Sequence, residues 1–266
     1  MLILLPPSEG KYAPARGAAL DLDRLSFPSL TPARRTMLDA LVRLCRAGEV
    51  PLEEAIRALG VGPTLSDEVA RNARLSQAPT ARADRIYTGV LYEALDLPRL
   101  SPAAKRRASS RVAITSALFG LLRPGDRVPA YRLSGGVSLP ELGPVAGFWR
   151  RELDAAVREA AGSGLVLDLR SSTYAGFWRP APDLAGRVIA LRVLHESNGT
   201  RSVVSHFNKA TKGRLVRALL EDGRNPARPG RLADLLADLG WKVEPGPGAR
   251  GAGGGGATWD VVVTDL

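Results

Sequence analysis

The run Leu2-Ile3-Leu4-Leu5 is apolar at every position and is stopped at once by Pro6-Pro7. A strand with one wet face alternates apolar and polar residues, so an unbroken run belongs to a strand covered on both faces. Proline, which cannot donate to a ladder, ends it. Residues 165–169 nearly repeat the pattern, and further β-like runs fall at 86–90, 111–116, 187–193, 201–204 and 259–263. Residues 2–5, 111–115, 165–169 and 201–204 are expected to be the inner strands. Helical spacing of apolar residues marks 31–47 (Thr31 capping, Pro32 just inside), 52–59, 67–75, 148–161, 212–221 and 232–239. This alternation predicts an α+β fold, with a mixed, twisted sheet and surrounding helices, over residues 1–266 as one domain. Residues 245–257 are rich in Gly and Pro and read as a mobile loop. Because 259–263 needs a sheet to pair with, that loop reads as a long hairpin connection and not a linker.

Charge narrows the function classes. The formal charge is +10 and the isoelectric point about 10.4, which favours an acidic partner such as nucleic acid. A competing explanation is compositional: only five of the 37 cations are lysine, the usage of a GC-rich coding sequence. Cys45 is the sole cysteine, so no internal disulfide forms and a reducing, cytoplasmic setting is expected. It follows Met37, Leu38, Leu41 and Val42 at helical spacing, the position of a core residue and not of a redox sensor. Residues 1–5 lack the basic start of a signal peptide, and no apolar run is long enough to span a bilayer. The oligomeric state is left open, leaning to a monomer.

Five segments carry possible chemistry. Ser205-His206-Phe207-Asn208-Lys209-Ala210-Thr211-Lys212-Gly213-Arg214 follows a strand-like run and opens a helix-like one, so Lys209, Lys212 and Arg214 add charge to a helix start that already favours anions. Leu59-Gly60-Val61-Gly62-Pro63 between two helices has the spacing of a helix-hairpin-helix, where Gly60 and Gly62 let backbone N–H groups approach a DNA phosphate. A plain interhelical loop capped by glycine has the same spacing. In the loop 116–133, Arg123 and Arg132 are a pair able to grip a phosphate, with Asp126 either orienting one of them or merely pinning the loop. Asp168 to Tyr174 places Ser171, Ser172 and Thr173 at a strand end, suited to hydroxyl or phosphate recognition, to a nucleophile, or simply to a self-satisfied turn. The loop Ser8-Glu9-Gly10-Lys11 also follows a strand end, where ligand contacts gather. With His195 and His206 the only histidines and no zinc spacing, no metal or other cofactor is expected.

Taken in order, Leu2 to Lys11, Tyr87-Thr88-Gly89, Gly120 to Pro124 with Tyr131-Arg132-Leu133, Phe148-Trp149, and Lys209 to Arg214 resemble the YaaA family of bacterial peroxide-stress proteins. The resemblance implies one α+β domain with a helix-hairpin-helix, a basic cleft, DNA binding, and protection from oxidative damage by restraining intracellular iron. Carried over by position, the cleft cations are Arg123, Arg132, Lys209, Lys212 and Arg214. Glu9 departs from the Ser-Pro-Ala-Lys type of first loop and puts a carboxylate into that cleft. The expected function is therefore cytoplasmic binding of DNA with little sequence specificity. The alternative is an enzyme acting on a nucleotide, nucleoside or modified base, with Lys209 as Schiff-base nucleophile or general base beside Ser172 and Glu9, and with Lys11 nearby.

Overall fold

The computed structural model describes residues 1–197, 199–246 and 256–264. An eight-stranded mixed sheet runs through it. Its strands are β1 (Leu2–Leu5), β2 (Val112–Ser116), β3 (Gly120–Leu122), β4 (Val166–Asp168), β5 (Val188–Ser197), β6 (Thr200–Ser202), β7 (Lys242–Pro245) and β8 (Ala257–Val263). The spatial order is β7-β8-β5-β4-β1-β2-β3, with β6 paired to β5. From β8 to β2 the pairing is parallel, whereas β3, β6 and β7 attach antiparallel. Ile3 faces Val112 on one side and Leu167 on the other. Every residue of β1 and β2 is buried, the condition that an unbroken apolar run requires.

The principal helices are α1 (Thr31–Cys45), α2 (Leu52–Leu59), α3 (Ser66–Asn72), α4 (Val90–Leu95), α5 (Pro102–Arg111), α6 (Val145–Ala161), α7 (Ser205–Asp222) and α8 (Pro229–Asp238). α7 packs on β5, α5 and, most extensively, α4. That last contact is close because Gly213 has no side chain. A Cβ there would lie 2.3 Å from the Leu91 carbonyl oxygen and 2.8 Å from the Ala94 Cβ. Among the described residues no helix is long and apolar enough to cross a membrane.

Several expectations about elements change. Residues 86–90 are not a strand: Ala83–Ile86 is a single helical turn, Gly89 takes φ 91°, and α4 begins at Val90. The β-branched residues there are overruled by the need to turn the chain between two helices. Residues 201–204 are not an inner strand either, since β6 is a three-residue exposed ribbon beside β5 after a turn at Gly199. α7 starts at Ser205, directly after β6, so the strand-to-helix junction stands, but the helix begins before 212 and takes in the whole polar segment 205–214. Its polarity hid the helix, because Thr211 and Lys212 are both buried polar residues. The hairpin of β7 and β8 stands as expected, while 247–255 of its connection lies outside the described residues.

Cys45 lies on the inner face of α1, and burial lifts its thiol to about 11, with Asn72 opposing weakly. Arg34 occupies the same face and is 0% exposed. Its guanidinium donates to the carbonyls of Phe119 (3.0 Å), Ser26 (2.7 Å) and Leu121 (2.7 Å), which fixes α1 against β3. Burial lowers its pKa to about 10, with the nearby Asp126 carboxylate opposing. Arg34→Met leaves three inward carbonyls without a donor and is expected to lower stability by about 3 kcal/mol in urea unfolding. A loss below about 0.5 kcal/mol, the range of a neutral surface change, would show that these bonds contribute nothing net.

Candidate ligand pocket at the strand ends

Two neighbouring parallel strands part company at their carboxyl ends. From β1 the chain runs out through 6–11 towards β2 on one side, and from β4 it leaves through 169–174 towards β5 on the other. Divergence of this kind opens a crevice outside the strand ends, where ligands of α/β sheets bind. A cavity of about 670 Å³ fills it, walled by 6–10, 88–92, 169–174 and the first turns of α7. Its loops are tied together. Ser8 Oγ accepts from the Thr88 N–H at 3.0 Å, and Tyr92 Oη donates to the Pro6 carbonyl at 2.7 Å.

Lys212 reaches in from α7 and is 9% exposed. Its Nζ donates to the Leu169 carbonyl at 3.0 Å. Burial draws its pKa down to about 8, with Asp168 opposing. Asp168 is itself engaged, because Arg170 grips it through Nε (2.9 Å) and Nη2 (2.7 Å) while also donating to the carbonyls of Tyr174 and Trp178. Arg170 is therefore a bracket for the 168–178 segment. Arg192 also lines the cavity, held bidentately on Asp260 at 2.7 Å. Lys209 lies on the wall too, but it is exposed, and no hydrogen bond or ion pair joins it to another described residue. Asn208 Oδ1 is buried and has no partner among the described residues.

Behind the first loop, Lys11 Nζ donates to the carbonyls of Ser8 (3.0 Å) and Glu9 (3.3 Å) and sits 4.3 Å from the Tyr131 ring centre. Burial lowers its pKa to about 8; Glu9 opposes and Arg132 adds to the fall. The Tyr131 hydroxyl is 2.8 Å from Ser116 Oγ and 3.1 Å from the Tyr87 hydroxyl. Burial pushes Tyr87 up to about 12 and Tyr131 well above its ordinary value. Both phenols are neutral at physiological pH and can only share their protons.

The residues expected from sequence fall into three groups. Glu9, Ser172, Lys209 and Lys212 share this cavity, with Lys11 at its back. Arg132 comes close behind them, 4.0 Å from Glu9 and 3.4 Å from Glu68. Its backbone is clasped by Asn72 of α3, which donates to the Arg132 carbonyl at 2.7 Å and accepts from its N–H at 2.9 Å. Glu9 is thus offset by Arg132 and by a Ser134 hydroxyl 3.4 Å away. Arg123, Arg214, Gly60 and Gly62 stay outside the cavity. Arg123 donates to the Val112 carbonyl at 3.0 Å and lies over the Phe27 ring, so it does not form a phosphate grip with Arg132. Asp126 accepts from the N–H groups of Arg123 and Ser26, pinning the loop. Gly60 is a left-handed cap (φ 61°) whose N–H returns to Arg57, and Gly62 has no such conformation.

Sequence reasoning passed over Thr88, Tyr92, Asn208 and Arg192. Asn208 sat inside a segment already singled out, but Arg192 gave no local signal, because its partner Asp260 is on another strand.

The chain matches the model of the family described as peroxide stress protein YaaA over residues 1–245. It belongs to that family. A UPF0246 protein of Streptomyces coelicolor is 50% identical over all of both chains. One of Corynebacterium efficiens is 39% identical over 94% of this chain and 97% of its own, and one of Ruegeria 31% identical over 84% and 87%. The family is thus one of peroxide stress, and its match runs through every wall of the pocket.

Two expectations follow from the geometry. An amine acylates only when neutral, so labelling of Lys11 and Lys212 by acetic anhydride should rise with pH through midpoints near 8, read by peptide mass spectrometry. Midpoints near the free-lysine value would refute the burial account. Gly213→Ala should push α7 off α4, cost about 2 kcal/mol and displace Lys212. An unchanged melting temperature would show the helix contact to be slack.

Proposed function

We propose that the protein serves in peroxide stress by binding an anionic, nucleotide-sized ligand in the cavity between the ends of β1 and β4. One observation carries this reading: an exposed, unpaired Lys209 and a buried Lys212 lie on the wall of a single cavity of about 670 Å³. That size suits a small molecule. Leu91, Tyr92, Leu191 and Val203 offer an apolar wall for a base, and Ser8, Thr88 and Ser172 offer hydroxyls. Arg170 and Arg192 already hold carboxylates, which leaves the lysines to meet the anion. Calorimetric titration with nucleoside mono- and triphosphates tests it. Lys209→Gln should weaken binding at least tenfold, since a bond to a charged group contributes about 1.5–3 kcal/mol. Absence of binding to every nucleotide at millimolar concentration would end the reading.

DNA binding with little sequence specificity is the second reading, favoured by the net charge of +10 and by the α2–α3 pair joined through Gly60 and Gly62. Phosphate contacts make affinity fall steeply with salt. Duplex affinity should drop at least tenfold between about 50 and 200 mM salt. Gly62→Glu should lower it further without unfolding, because a Cβ at Gly62 meets nothing nearer than Thr64 Oγ1 at 3.8 Å. A salt-independent affinity, or full binding by Gly62→Glu, would argue against this surface.

A further inference from the structure

The chain answers almost every need for a cation with arginine, and it contains only five lysines. Lys105 lies on α5 and Lys242 on β7, away from the cavity, the latter 3.3 Å from Glu244. The other three are Lys11, Lys209 and Lys212, all at or directly behind the pocket. If the pocket needed charge alone, arginine would supply it as it does elsewhere in this chain. What lysine adds is an amine able to lose its proton and share its lone pair, which guanidinium does not do in proteins.

We infer that the pocket is reactive, with Lys212 as a nucleophilic amine that condenses with the carbonyl carbon of a phosphorylated sugar in its open-chain form. The inference rests on the pocket being the ligand site, and it goes further by giving the two lysines of α7 different roles. Lys209 and Lys212 are three residues apart on one helix, so they project from the same face with their Cβ atoms about 5–6 Å apart. Lys209, outermost and unpaired, meets the phosphate. Lys212, deeper and tied among the described residues only to the Leu169 carbonyl, meets the carbonyl group. The burial that draws its pKa to about 8 leaves a useful fraction neutral near physiological pH. Asn208, just before Lys209 on α7, lines the same cavity with its Oδ1 buried and without a donor among the described residues, and it fits a sugar hydroxyl.

The step balances without a further reagent. The neutral Lys212 amine adds to the carbonyl carbon, and the π electrons move to oxygen, which takes one proton from the new ammonium nitrogen and a second from solvent. The nitrogen lone pair then expels that oxygen as water, leaving a protonated imine, an electron sink for cleavage of a neighbouring C–H or C–O bond. Addition of water reverses the sequence and frees the lysine.

The experiment incubates the full chain with ribose 5-phosphate and cyanoborohydride and maps adducts on all five lysines by mass spectrometry, beside calorimetric titration of the same protein with AMP. One reduced adduct per chain is expected, on Lys212, suppressed by inorganic phosphate. It should vanish in Lys212→Met and in Lys212→Arg, whereas Lys209→Gln should require at least tenfold more sugar phosphate for half-labelling. An adduct on Lys209, or one spread over surface lysines, overturns the assignment using the wild-type chain alone, whatever the variants do. AMP binding without any adduct overturns the chemistry but leaves the binding pocket standing. Neither binding nor adduct removes both.

Discussion

The pairing of β1 with β2 on one side and β4 on the other is the constraint from which the rest follows. A four-residue strand shared by two parallel neighbours must be apolar throughout and must be covered above and below. It must also hand its chain away from β4, because each parallel connection needs a crossover. The crevice is a by-product of that topology. No residue inside β1 lines it, yet β1 determines that residues 6–11 and 169–174 face each other across it.

Charge is distributed by how much each site can tolerate. Arg34 and Arg170, 0% and 7% exposed, are held by carbonyls and, for Arg170, by the bidentate Asp168. Guanidinium suits those positions, since it keeps its proton and spreads its donors in a fixed fork. Lys11 and Lys212 are less enclosed but have fewer partners, and burial there weakens the proton instead. Most of the +10 is therefore structural or peripheral, and the few lysines concentrate the chemistry that can change with pH.

The α2–α3 pair is coupled to the pocket through its second helix. Asn72 and Glu68 of α3 hold the Arg132 backbone and guanidinium, and Arg132 in turn stands 4.0 Å from Glu9 in the first loop. Of the cations expected in one basic cleft, Lys209 and Lys212 line the cavity and Arg132 stands behind its first loop, whereas Arg123 and Arg214 lie outside it.

From the sequence alone came the mixed sheet, the two apolar strands, most helices and the first loop that carries Glu9, since those depend on hydrophobic period and on Pro and Gly stops. Burial was not legible. Arg34 reads as a surface cation beside Arg35, yet α1 turns it into the core, because three carbonyls of the 26 and 119–121 segments converge there. Lys209 looked like the reactive lysine, but Lys212, one turn further along the same helix face, is the buried one, and Lys209 is left exposed. The polar segment 205–214 hid the start of α7, and Arg192 gained its place only from the register of β5 with β8. Local pattern determines which way a residue faces along its own element. Which element covers that face, and hence which side chain loses its water, is decided only when strands distant in sequence pair and helices dock on them.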